Sequence, residues 1–142
     1  MKFVTLCLAL VVAAFGAVGL AAQGKPNLSG TWIAVGPQQH TRELTIKHDA
    51  STLTIEGQPD VPKQSFNLDG SETKLNAPDG KPLVWRAVWE GTKLVVTVHF
   101  PEIQKDIRRV TWAIDADGQL VTETAFLEGK PQAPIKEVFK RR

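Results

Sequence analysis

The chain has one cysteine and no tyrosine. Cys7 lies in the first apolar run, so no disulfide can staple the remainder. It follows Leu6 and comes too early to be the lipidated residue of a lipoprotein cut site. An excess of one charge sign is also missing: 17 basic residues against 15 acidic ones give a formal net charge of +2. A near-neutral domain carries no electrostatic footprint for nucleic acid. The one basic concentration is terminal (Lys136, Lys140, Arg141 and Arg142) and reads as a solvated tail. No Gly-rich phosphate loop precedes a helical pattern, and none of Ser29, Ser51, Ser65 and Ser71 sits in a nucleophile elbow. His40, His48 and His99 are too dispersed for a zinc motif, and no carboxylate pair stands out. No catalytic residue, metal ligand or cofactor is therefore assigned, and the chain is not read as an enzyme.

What is present begins with Lys2, an apolar run from Phe3 to Val18, and small residues at Gly19, Ala21 and Ala22. A charged start, a short apolar middle and small residues at the cut make a secretory signal peptide. Residues 1–22 are read as that leader, cleaved near Ala21–Gln23, and residues 23–142 as one domain with no integral membrane span. Without disulfides, an exported domain of this size points to a bacterial periplasmic or secreted protein.

The mature part reads as β throughout. Leu44, Ile46 and His48 alternate with Glu43, Thr45 and Lys47, a period of two that marks a half-buried strand. Turn signals recur about every ten residues, at Glu56-Gly57, Asp69-Gly70, Asp79-Gly80, Glu90-Gly91, Asp117-Gly118 and Glu128-Gly129. Strands are expected near 30–35, 42–48, 51–57, 63–68, 71–76, 82–90, 92–100, 106–115, 119–127 and 134–140. Short sequential hairpins make a meander, and eight to ten such strands remove their edges by closing. The expected fold is a single all-β, antiparallel, up-and-down barrel.

Four tryptophans stand out. Leu83, Trp85, Ala87 and Trp89 share one strand face, as do Leu94, Val96, Val98 and Phe100, then Val110, Trp112 and Ile114, then Leu120, Thr122, Thr124 and Phe126. Threonines beside large apolar groups suit a cavity with few polar contacts. Trp85, Trp89, Phe100, Trp112, Thr124 and Phe126 are therefore candidate ligand-binding residues.

The segment Asn27-Leu28-Ser29-Gly30-Thr31-Trp32 resembles the opening of lipocalins and related calycin barrels. The resemblance implies that Trp32 plugs the base of the barrel. It also implies that a cation from the last strand, Lys136 or Lys140, packs across the ring. The stretches Phe66-Asn67-Leu68-Asp69-Gly70 and Trp89-Glu90-Gly91-Thr92-Lys93-Leu94 resemble small exported bacterial β proteins described as lipocalin-like. Together these imply a monomeric, non-catalytic barrel that binds a small, largely apolar molecule at the end opposite Trp32. Two other readings stay open. One is a cell-envelope interaction module with a packed interior. The other is a carbohydrate-binding surface built on Trp85 and Trp89.

Overall fold

The computed structural model describes residues 24–36, 42–57 and 63–142. The expected leader, residues 1–22, and His40 lie outside the described residues.

All ten expected strands form, each within two residues of its expected ends. They are β1 (Gly30–Ala34), β2 (Glu43–His48), β3 (Thr52–Glu56), β4 (Gln64–Asn67), β5 (Thr73–Asn76), β6 (Pro82–Glu90), β7 (Lys93–Phe100), β8 (Lys105–Ile114), β9 (Leu120–Phe126) and β10 (Ile135–Arg141). They make one antiparallel sheet in the order β4-β3-β2-β1-β10-β9-β8-β7-β6-β5. The first and last strands pair, with Trp32 opposite Arg141 and Ala34 opposite Phe139. That pairing turns an open meander into a barrel, because it removes the two edges the chain ends would expose. The remaining edges are β4 and β5, which flank a gap.

The turn between β4 and β5 bridges this gap at one end. Leu68 N–H donates to Ser51 O (2.8 Å), and Gly70 N–H donates to Ala87 O (2.9 Å). Gly70 takes φ 82°, and a Cβ there would stand 2.8 Å from Val88 Cγ1. Only glycine lets the turn lie this close to β6.

Strand parity sets the interior. Trp32, Leu44, Ile46, Leu53, Phe66, Leu94, Val96, Val98, Leu120 and Phe139 are all buried to within 2% of full burial, and they belong to one apolar cluster. The end carrying residues 24–29 and the β2–β3, β6–β7 and β8–β9 turns is closed by Leu28, Trp32 and Leu53. The mouth lies at the other end, framed by the β5–β6, β7–β8 and β9–β10 connections.

Candidate ligand cavity

The closed end is built around Trp32. Its indole N–H donates to Leu28 O (2.9 Å), holding the segment before β1 across the barrel floor. The cation over its ring is Arg141, whose guanidinium carbon is 4.5 Å from the ring centroid. The expectation of Lys136 or Lys140 is thus corrected by strand parity. On β10, Ile135, Glu137, Phe139 and Arg141 share the inner side, while Lys136 and Lys140 are exposed on the other. Arg141 also donates to Ser29 O (2.8 Å) and Asn27 O (3.3 Å).

His48 completes this end. Its Nδ1 accepts the Leu28 N–H (3.3 Å), and its ring lies 5.6 Å from that of Trp89. Burial pushes its pKa below the ordinary 6.5, partly opposed by the neighbouring Asp49 carboxylate.

Above this floor lies a cavity of about 430 Å³. Its deeper wall includes Leu44, Ile55, Val96, Trp112, Thr122 and Phe139; nearer the mouth are Arg42, Gln64, Trp85, Arg108, Phe126 and Ile135. An interior with this much free space is not fully packed, contrary to the packed-module reading. Trp85 is only 9% exposed, because its parity turns it into the barrel. That removes the exposed two-tryptophan platform that a carbohydrate-binding surface would need.

Of the six candidate ligand-binding residues, Trp85, Trp112, Thr124 and Phe126 line this cavity. Trp89 does not. It shares the inner parity of Trp85 but sits four residues nearer the floor, against His48. Phe100 does not either: a register shift between Val98 and His99 interrupts the β7–β8 ladder just before it. Phe100 instead lines a shallower recess at the mouth, with Pro78, Lys81 and Arg108, and Lys81 Nζ is 5.6 Å from its ring.

The charged wall residues were missed by the apolar pattern. Arg108 has the same parity as Val110 and Trp112, and that alternation would have found it. Its pKa is lowered by burial, yet a guanidinium stays charged at any ordinary pH. Arg42 pairs with Glu137, and its guanidinium carbon lies 5.6 Å from the Phe139 ring centroid. Among the described residues, no group of three or more His, Cys, Asp or Glu is placed to hold a metal ion.

The chain is thus a ten-stranded antiparallel barrel with one closed end and an internal cavity, and comparison with solved structures finds the same fold. The fluorescent protein UnaG superposes with a TM-score of 0.61 at 19% identity, over 81% of this chain and 97% of that one. The zebrafish ileal bile acid-binding protein complexed with cholic acid gives 0.59 at 18% identity, over 80% and 98%. The fatty acid transporter REP1-NXSQ gives 0.58 at 15% identity, over 81% and 96%. At these identities the likeness is one of fold. No family model matches the sequence, and no curated protein matches it.

Proposed function

We propose that this chain is an exported, non-catalytic barrel that binds a small, largely apolar molecule in its central cavity. The observation that carries the reading is the cavity itself. At about 430 Å³ it falls within the range of roughly 300–1,000 Å³ usual for small-molecule sites. Its wall is mostly aliphatic and aromatic, with a few polar groups, the composition that binds apolar bodies and orients them. The bile acid-binding protein and the fatty acid transporter of the same fold support this reading, since both are named for amphipathic small molecules.

The test is a titration of the folded domain, residues 23–142, with fatty acids, bile acids, porphyrins, quinones and aromatic dyes. Trp85 and Trp112 line the cavity, so an occupant there should change tryptophan emission saturably. No saturable change in emission or in calorimetric heat across the panel would overturn the proposal.

A further inference from the structure

Residues 24–29 run across the barrel floor ahead of β1. Leu28 is fully buried there, while Gly24, Lys25 and Asn27 are exposed. The Leu28 carbonyl accepts the Trp32 indole N–H (2.9 Å), and the Leu28 N–H donates to His48 Nδ1 (3.3 Å). One residue on, the hold is tighter. Ser29 Oγ accepts the His48 N–H (2.9 Å) and donates to His48 O (3.1 Å), and Arg141 donates to Ser29 O (2.8 Å). Arg141 reaches Asn27 O only at 3.3 Å. The segment is thus pinned at Ser29 and tethered more lightly before it.

Of these contacts, the one from Leu28 N–H to His48 Nδ1 depends on a side chain that titrates between about pH 5 and 8. To accept there, the ring must be neutral, with its proton on Nε2. Protonation makes Nδ1 a donor, and two donors then face each other at the Leu28 N–H. Burial sets the ring's pKa below 6.5, so the change falls at mildly acidic pH.

The charges around the ring act in the same direction. Lys25, on the segment itself, is a cation that opposes the protonated ring. Asp49, in the β2–β3 turn, favours it. Hydrogen bonds from Ser51 and Thr52 hold the Asp49 carboxyl well below the usual carboxylate range, so it is an anion wherever His48 titrates. An imidazolium is therefore drawn toward Asp49 and repelled by the segment. Leu53, its register partner on β3, and Trp89 on β6 bring no charge.

The barrel's closure does not run through this segment. Trp32, Ile33 and Ala34 make it by pairing with Arg141, Lys140 and Phe139, all on the far side of Ser29.

We propose that residues 24–28 form a latch that leaves the barrel floor when His48 is protonated, turning at Ser29 and leaving the ten-stranded barrel closed. Release lifts Leu28 out of the floor and takes the acceptor from the Trp32 N–H. The acid-responsive end of the barrel is then the one opposite the mouth, whatever the cavity binds.

The test is native-state hydrogen exchange of the native chain, read at the amides of Leu28 and of Val96 in the middle of β7. Each rate is divided by that of an unstructured peptide at the same pH. Leu28 should open more often than Val96 and be nearly insensitive to low urea. Opening at Val96 should rise steeply with urea, because it exposes the whole core. From about pH 7.5 to about pH 5, opening at Leu28 should grow by up to about tenfold per pH unit, the most that one proton can drive. His48→Asn offers the Leu28 N–H a side-chain oxygen that does not titrate, so its opening should be the same at both pH values. Thermal unfolding of the variant accompanies the exchange. If it fails to fold, the native chain still decides. Leu28 exchange with the urea dependence of Val96 overturns the latch. Local opening that does not grow with acid, or a full acid response in His48→Asn, overturns His48 as its trigger.

Discussion

Arg141 sits over the Trp32 ring, its guanidinium carbon 4.5 Å from the ring centroid, and the two residues are register partners across the β1–β10 seam. One contact thus ties the two ends of the described barrel together. The guanidinium also ties down the segment before β1 by donating to Ser29 O and Asn27 O.

Removing either partner should open that seam. Trp32 is fully buried, so Trp32→Ala should cost roughly 3–5 kcal/mol through lost burial and a residual cavity. Arg141→Met keeps an apolar stem but loses the cation and two hydrogen bonds. Arg141 is solvent-exposed, so roughly 1–2 kcal/mol is expected. Denaturant midpoints at unchanged slope measure both; a loss below about 1 kcal/mol for Trp32→Ala, the range of surface changes, would show that it is no plug.

The second prediction concerns pH. In the folded state, burial lowers the pKa of His48 below 6.5, so the unfolded chain binds the proton more readily. The stability linked to neutral His48 is therefore fully present above the unfolded value. It is lost as pH falls from about 6.5 through the folded value. Protonation also takes the Nδ1 lone pair that accepts the Leu28 N–H. Unfolding midpoints measured from mildly alkaline to mildly acidic pH should fall in the native chain. His48→Asn should lack that component; identical pH profiles for the two proteins would refute it.

Gly70→Ala should destabilise the closing turn between β4 and β5. The residue's φ of 82° is unfavourable for alanine, and its Cβ would meet Val88 Cγ1 at 2.8 Å. A loss of roughly 1–3 kcal/mol is expected. Adding Val88→Ala should recover the steric part and leave the backbone part, which a double-mutant cycle separates.

At the mouth, Phe126 is 39% exposed while lining the cavity. Phe126→Ala should therefore weaken binding of an apolar probe, chiefly by faster release, while costing less stability than a fully buried aromatic would. Stopped-flow dissociation beside thermal unfolding checks this. An unchanged release rate would place Phe126 outside the ligand path.

Export is checked by intact mass. Chain recovered from periplasm or medium should begin near Ala21–Gln23, as the Lys2-to-Ala22 pattern implies. Full-length chain recovered only from cytoplasm would overturn it.

Much of the barrel was legible before any coordinate. Alternation such as Leu44-Thr45-Ile46 marks strands because side chains switch faces at every residue, and that property is local. The Gly turns were equally local: Gly57, Gly70, Gly80, Gly91, Gly118 and Gly129 all take positive φ. Parity even encoded that Arg108 and Arg141 face inward, although a search for apolar faces passed over both. Parity could not say how far along the barrel each inward residue sits. Trp85 and Trp89 share one face, yet one lines the cavity and the other packs on His48 at the floor. That separation depends on the β1–β10 closure and on the stagger between strands, which are contacts between residues distant in the chain. The sequence by itself determined ten strands, their two faces and their turns, because these follow from neighbouring residues. Only the tertiary structure decided which inward residues meet around empty space, because that depends on non-local packing.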